Sequence, residues 1–470
     1  MSTPPLASGP QGPDALRPLL DTVLDALHTG RHARGGPLPA GGPDAVAVRV
    51  RDAVDDVLPH DGDPDALRAL VRLLAEGAAD PADPLCAAHL HCPPLAVATA
   101  ADLAVAVLNP SLDSWDQAPA ASELESLVCQ ALARETDAAD ALITTGGTES
   151  NLLALLLARE THGPGLRLVH GANAHHSLPR AAWLLGLPEP VVVPAPAGTL
   201  DPTALDDTLG ALSGPLLVAA TAGTTDAGLI DPLPEIAARC HAHGARLHID
   251  AAYGGGLLFS DRHRERLTGL DAAHTVTLDL HKLGWQPLAA GALTVRDATD
   301  LAALHQRADY LNAPDDTTAG LPDLLGRSLR TSRRPDAVKI AVTFRTLGRT
   351  GLGALVDRVC DLAQQFATLV EEHPGFELHD RPTISTVLFR PTATPTGRNA
   401  GPGAPTGHHT APTDATVAEI RRTLLAEGRA VLGRARLDGR LWLKATVLNP
   451  HTRPQDLAAL LNLVEGSTPE

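Results

Sequence analysis

Only three lysines occur in this 470-residue chain, Lys282, Lys339 and Lys444, against 35 arginines. A primary amine can lose its proton and attack a carbonyl, whereas a guanidinium cannot. Lys282 stands in Thr277-Leu278-Asp279-Leu280-His281-Lys282, just past an apolar run that reads as a strand. At the edge of a sheet and near an anion site, such a lysine could condense with an aldehyde cofactor. With neither feature close by, it is a surface lysine, the ordinary place for one. Scarcity does not decide between these readings, because a GC-rich genome also favours arginine. Lys339, in an apolar helical stretch over 337–347, and Lys444, on a strand, are equally rare. Neither has an acidic strand end or a glycine turn beside it.

Three further features share the central region with Lys282. Thr144-Thr145-Gly146-Gly147-Thr148-Glu149-Ser150-Asn151 precedes a helix read over 152–160. Small residues there let backbone N–H groups converge at a positive helix end, which suits a phosphate. The plain structural alternative is a glycine-rich turn capped by Thr148. Asp250 closes the strand read over 246–249 and is followed by Ala251-Ala252-Tyr253-Gly254-Gly255. A carboxylate closing a buried strand is costly unless it is paired, and a protonated ring nitrogen would pair it. The alternative is an aspartate capping the next turn. Asn173-Ala174-His175-His176-Ser177 offers an imidazole that could stack on a flat ring or relay protons.

The elements that must position these residues are those of an α/β sheet. From about 138 to 293, short apolar runs alternate with helical segments. Val191–Val193, 216–220, 247–249 and 276–278 read as buried strands, and 234–243 reads as a helix. That alternation predicts a mostly parallel sheet covered by helices, with ligands at the carboxyl ends of its strands. Upstream, residues 1–13 are rich in Pro, Gly and Ser and read as disordered. Leu16, Leu19, Leu20, Val23, Leu24 and Leu27 make one helical stripe, and a second helical stretch runs to about Gly77. Downstream, 418–425 and 454–464 read as helices and 440–447 as a strand, a small α+β C-terminal domain. The stretch 391–413, rich in Pro, Gly and Thr, reads as a flexible loop or an insertion. The segments expected are therefore 1–95 (N-terminal, helical), 96–350 (large domain) and 351–470 (small domain).

Composition narrows the function. Aromatic residues make up 2% of the chain, so the core must be built from Leu, Val and Ala. A net charge of −17 argues against nucleic acid or an anionic membrane as partner. No apolar run approaches the ~20 residues that span a bilayer. Five scattered cysteines without a Cys-x-x-Cys pair, and no signal-peptide pattern, lead us to expect a cytoplasmic protein. Cys240-His241-Ala242-His243 has metal-like residue types but falls where a helix ends before Gly244, where histidines suit the helix dipole. His89 and His91 would share one face of a strand, yet no third ligand is evident, so no metal site is expected. They read as substrate-pocket or structural residues. His408-His409 lies in the Pro/Gly-rich stretch and suggests no chemistry.

In their order, the four central features resemble the fold-type I enzymes that use pyridoxal 5′-phosphate (PLP). More narrowly, the wording is similar to the group II amino-acid decarboxylases. The resemblance runs through His89-Leu90-His91-Cys92-Pro93-Pro94, Asp113-Ser114-Trp115-Asp116-Gln117 and Thr221-Ala222-Gly223-Thr224-Thr225-Asp226. It continues through Arg330-Thr331-Ser332-Arg333-Arg334 and Leu448-Asn449-Pro450-His451-Thr452. The first two segments most resemble bacterial diaminobutyrate and siderophore-pathway decarboxylases.

The resemblance implies that Lys282 holds PLP and that Asp250 pairs with the pyridine nitrogen. His175 would stack on the ring, rather than His176. Gly147 and Thr148 would bind the phosphate with help from His281, and Asp279 would lie at the cofactor. Thr225 would sit near the cofactor's 3′-oxygen or His175, with His91 and Cys92 on the substrate side. It further implies a homodimer and a basic amino-acid substrate such as 2,4-diaminobutyrate, lysine or ornithine. Many family members carry a proton-donating tyrosine on a loop before the Arg-Arg pair. The corresponding Ala319-Gly320-Leu321-Pro322-Asp323-Leu324-Leu325-Gly326 has none. His175 or a loop residue must then supply that proton, or oxygen could divert the reaction to an aldehyde. Oxidative deamination and PLP binding without turnover are the alternatives to simple decarboxylation.

Overall fold

The structure is a computed structural model that describes residues 3–392 and 412–467. Most of the Pro/Gly/Thr-rich stretch, with His408 and His409, lies outside the described residues. The chain divides into two units, Pro94–Cys360 and Met1–Pro93 with Asp361–Glu470.

The second of these begins with α1 (Gly12–Arg34), α2 (Gly42–Ala53), α3 (Ala66–Gly77) and β1 (Cys86–Ala87). The second helical stretch expected from sequence is thus two helices. Helix α1 begins at Gly12, inside the segment expected to be disordered. His89 and His91 follow β1 instead of lying on a strand, and His89 has a left-handed backbone (φ 61°).

The other unit holds α4 (Ala96–Leu108), α5 (Pro119–Glu135), β2 (Asp140–Thr144), α6 (Gly147–His162), β3 (Arg167–Gly171), α7 (Ser177–Leu184) and β4 (Val191–Val193). After them come α8 (Pro202–Ala211), β5 (Leu216–Thr221), α9 (Leu233–Ala242), β6 (Arg246–Ala251), β7 (Thr275–Asp279), α10 (Leu280–Leu283), β8 (Gly291–Val295) and α11 (Pro314–Thr318). Helix α12 (Ala337–Glu372), broken at Gly348 (φ 62°), carries the chain across the boundary. The unit that begins with α1 is completed by β9 (Phe376–Leu378), β10 (Thr386–Pro391), α13 (Asp414–Ala426), β11 (Val431–Leu437), β12 (Arg440–Thr446) and α14 (Pro454–Glu465).

The seven-stranded sheet runs in the order β2-β8-β7-β6-β5-β3-β4, and β8 alone is antiparallel to its neighbours. Helices cover such a sheet on its faces, so its strands read as continuous apolar runs. All six residues of β5 are buried. Helix α6 packs Leu155 and Ala158 with Leu166, Leu168 and Leu217, and Leu153 and Leu157 with Leu142, Leu293 and Val295. A helix held this way cannot shift its N-terminus relative to the strand ends. The register sets Thr221, Asp250 and Thr277 side by side on β5, β6 and β7.

The expected first and third segments make one unit. Strand β1 pairs parallel with β11, Cys86 opposite Val431 and Ala87 opposite Leu432. The Asn449 side chain donates to the Ala82 carbonyl (2.8 Å), and Gly41 N–H donates to Ala426 O (2.8 Å). Three of the chain's five phenylalanines pack together in this unit's core. Phe389 is fully buried, with Phe366 and Phe376 rings 5.4 and 5.8 Å from its own. Phe389→Ala is expected to cost about 3–5 kcal/mol, because the site can collapse only partly. Equilibrium denaturation with the urea midpoint as readout checks this.

Candidate active site

Thr144 ends β2 and α6 begins at Gly147, so the turn of two residues between them must be tight. Gly146 takes φ 148° and ψ −179°, a conformation that disfavours any side chain. A Cβ there would lie 2.9 Å from His281 Cε1, and one on Gly147 would lie 3.1 Å from Ala252 Cβ and 3.2 Å from Asp279 Oδ2. The turn therefore rests directly on the residues that follow β6 and β7. Glu149 Oε2 holds it, accepting from Thr145 N–H (2.6 Å) and Thr145 Oγ (2.7 Å). Gly146 is the N-cap residue, Thr148 lies within the first helical turn, and no side chain caps the helix. The backbone N–H groups of that turn thus point outward with the positive end of the helix dipole.

Lys282 follows β7 on the single turn of α10. Its Nζ lies 2.8 Å from Asp279 Oδ2, with Asp279 itself buried. Asp279 Oδ1 is buried and accepts no hydrogen bond. His281 Nδ1 takes the Ala290 N–H at 3.4 Å, and its Nε2 lies 3.5 Å from Asp279 Oδ2. Burial pushes the His281 imidazole below its ordinary pKa, against the opposing pull of Asp279.

Asp250 lies on β6 with both oxygens engaged. Oδ1 accepts from Ala252 N–H (3.1 Å), so it does cap the following turn, and Oδ2 accepts from Asn151 Nδ2 (2.8 Å). Asn151 also donates to Ser177 Oγ (2.8 Å), and its Oδ1 meets Thr277 Oγ1 (2.9 Å) and His248 Nε2 (3.0 Å). His248 in turn reaches Thr275 Oγ1 through Nδ1 (2.9 Å). Complete burial pushes His248 down to about 4, so it is neutral near pH 7. Sequence reasoning gave Asn151 and His248 no role. The signal available was a polar His248 inside a strand expected to be apolar; Asn151, read within the glycine-rich turn, gave none.

His175 sits in the loop after β3. Asn173 anchors that loop by donating to Asp231 Oδ1 (2.7 Å), and Asp231 also accepts from Leu200 and Thr221 N–H groups. The Nδ1 of His175 lies 2.8 Å from Ser177 Oγ and takes the Ser177 N–H at 3.3 Å. Burial is the main cause of its lowered pKa. The His176 ring is 4.1 Å away and tilted by 47°. Thr225 is itself exposed in an otherwise largely buried loop after β5, whose Ala222 N–H donates to Asp250 O (2.9 Å). His91 and Cys92 belong to the other unit, Cys92 buried and His91 lowered in pKa by burial.

The arrangement fits PLP. An uncapped glycine cradle for a phosphate abuts a lysine amine, a carboxylate with an unused oxygen, and a second carboxylate held in a fixed orientation. Among the described residues no group of three His, Cys, Asp or Glu could hold a metal ion.

Comparison with known proteins gives a consistent picture. The family model for the pyridoxal-dependent decarboxylase conserved domain matches residues 50–392. An L-2,4-diaminobutyrate decarboxylase of Rhizobium meliloti (strain 1021) is 39% identical over 433 residues, covering 88% of this chain and 85% of that protein. One of Acinetobacter baumannii is 31% identical over 408 residues, covering 80% and 78%. The solved glutamate decarboxylase domain of a diaminobutyrate-pyruvate transaminase and L-2,4-diaminobutyrate decarboxylase from Vibrio parahaemolyticus superimposes with a TM-score of 0.81. It is 30% identical and covers 98% of this chain and 97% of that one.

The cradle makes a direct prediction. A Cβ on Gly291 would fall 2.5 Å from Gly146 Cα and from Thr144 Oγ1. Gly291→Ala is therefore expected to displace the turn and weaken PLP binding by roughly tenfold or more, since about 1–3 kcal/mol of overpacking must be relieved there. Titrating the apoprotein with PLP measures it.

Proposed function

The chain belongs to the pyridoxal-dependent decarboxylase family, and from that premise we propose that its substrate is a short basic amino acid, L-2,4-diaminobutyrate before lysine or ornithine. The protein is a PLP-dependent amino-acid decarboxylase, which releases CO2 from an amino acid and leaves an amine. The observation that carries the substrate reading is the 39% identity, over 88% of the chain, to a protein named for that activity.

In this reading Lys282 holds PLP through its amine, and Asp250 faces the pyridine nitrogen. His175 would stack on the ring. Gly147, Thr148 and His281 bind the phosphate, Thr225 and Asp279 complete the cofactor's surroundings, and His91 and Cys92 serve the substrate. When bound, PLP supplies an electron sink for the electron pair left by departing CO2. The Lys282 amine must shed a proton before it can react. Asp279 Oδ2, 2.8 Å from Nζ, is placed to hold that proton and to keep the amine near the strand end. Asp250 would hold a positive charge at the ring nitrogen, and its burial would make that pairing strong.

The described chain has one observation in favour of a second product. Tyr310 is 81% exposed and Tyr253 is buried, and the segment expected to carry a proton-donating tyrosine has none. Aldehyde and hydrogen peroxide formed under air would mark oxidative deamination.

A homodimer in the cytoplasm completes the proposal. Helix α1 exposes Leu19, Leu24 and Leu27, and α3 exposes Leu67, Leu70 and Leu74, an apolar area that a second copy would cover. None of the five cysteines forms a disulfide, and no helix among the described residues is long and apolar enough to cross a membrane.

The deciding assay supplies L-2,4-diaminobutyrate, lysine, ornithine, glutamate, aspartate and tryptophan in turn, reading CO2 and product by mass spectrometry. Diaminobutyrate is expected to give 1,3-diaminopropane with the highest kcat/KM, and preference for an acidic or aromatic substrate would refute the assignment. Lys282→Ala should lower CO2 release by at least roughly a thousandfold. Borohydride should fix PLP to the Lys282 peptide of the parent protein. Light scattering should give twice the chain mass, and Leu24→Glu with Leu74→Glu should halve it.

A further inference from the structure

The buried cluster around Asn151 contains no atom expected to touch substrate, yet it joins the two residues assigned to the cofactor ring. Asn151 is 1% exposed, and Ser177, His248 and Thr277 are 1%, 0% and 0% exposed. Its amide has four hydrogen-bonding places, two N–H donors and two oxygen lone pairs, and all four are used.

The polarity of the cluster follows from its ends. A carboxylate can only accept, so the Asn151 nitrogen must face Asp250 Oδ2, and the same nitrogen faces Ser177 Oγ. The Asn151 oxygen then faces His248, whose Nε2 must carry the ring proton, leaving Nδ1 to accept from Thr275 Oγ1. Thr277 Oγ1 donates to the same oxygen. On the other arm, Ser177 Oγ accepts from Asn151 and so turns its own hydrogen to His175 Nδ1. The Ser177 backbone N–H also points at that nitrogen and cannot reverse. His175 is thereby held with its proton at Nε2.

We propose that Asn151 is the positioning residue of this active site, one amide that at once orients the Asp250 carboxylate and fixes the tautomer of His175. Every donor in the cluster points one way, from Thr275 through His248 and Asn151, and then along two branches to Asp250 and to Ser177 and His175. A second consequence concerns the missing proton donor. His175 has Nδ1 occupied as an acceptor, which opposes the doubly protonated form of the imidazole. The groups facing it divide: Asp250 and Asp279 favour a charge on the ring, while burial, His176 and Lys282 oppose one.

This inference rests on the PLP reading of the site, and the test separates the two. Apoprotein of the parent, Asn151→Asp and Thr277→Val is titrated with PLP. The visible absorption of the bound cofactor is followed across pH, and the thermal midpoint is taken without cofactor. Asn151→Asp removes the donors to Asp250 and Ser177, and PLP affinity is expected to fall roughly tenfold to a hundredfold, as for loss of a charge-assisted hydrogen bond. Its cofactor absorption should become pH-dependent where the parent's is flat, and kcat should drop while the KM for the amino acid holds. Thr277→Val, which removes one of two donors to the Asn151 oxygen, should weaken PLP by about two- to tenfold. Should Asn151→Asp fail to fold, Thr277→Val decides by the same readouts. Variants that melt earlier but keep the parent's PLP affinity and spectrum would reduce Asn151 to a structural residue and overturn the inference. A parent that neither binds PLP nor releases CO2 would instead refute the reading of the site.

Discussion

Two carboxylates at the carboxyl ends of buried parallel strands impose the central constraint on this molecule. Asp250 on β6 and Asp279 on β7 are 5% and 6% exposed, in a sheet whose neighbouring side chains are largely apolar. Taking a charged group out of water costs several kcal/mol unless other groups hold it. The fold answers differently at the two positions. Asp250 receives donors on both oxygens, from Ala252 N–H and Asn151. Asp279 has one oxygen against the Lys282 ammonium and one without a partner. One carboxylate is fixed by two donors, and the other is balanced by a single lysine.

The need to hold Asp250 explains polar residues in otherwise apolar elements. His248 on β6, Thr275 and Thr277 on β7 and Asn151 on α6 all face the interior between helix and sheet, where a polar atom left alone would be destabilising. None of them is left alone, because each completes another's hydrogen bonds. Such a network is either fully satisfied or a liability, which makes it intolerant of single changes. The apolar packing of α6 on β2, β3, β5 and β8 supplies the rigidity that keeps Asn151 within 2.8 Å of Asp250.

The glycine turn obeys the same geometry from the other side. The start of α6 must come close to the segments after β6, after β7 and at the start of β8. Gly146, Gly147 and Gly291 leave out the side-chain atoms that would prevent it. Close approach places the helix N-terminus, with its outward N–H groups, beside Lys282 and Asp279. Helix N-terminus, amine and carboxylate are thus brought together by how tightly one helix is drawn onto the strand ends.

Much of this was legible in the chain. Apolar runs marked β4 through β7, and Asp250 and Lys282 were recognisable as polar residues ending or following such runs. Helices α9, α13 and α14 followed from periodicity, because local spacing controls which face of an element is buried. Order and company were not legible. The sequence could not show that β1 lies beside β11, or that 1–93 and 361–470 form one unit, since those contacts join residues hundreds of positions apart. It quoted Asn151 as part of a glycine-rich turn without a role, because its partner Asp250 is 99 residues away. It left His175 open as a proton donor, because the tautomer depends on Ser177 and Asn151. The sequence by itself determined which residue types end the strands and open the helix. Only the tertiary structure decided what those residues touch, because strand register and helix packing are set by contacts between distant segments.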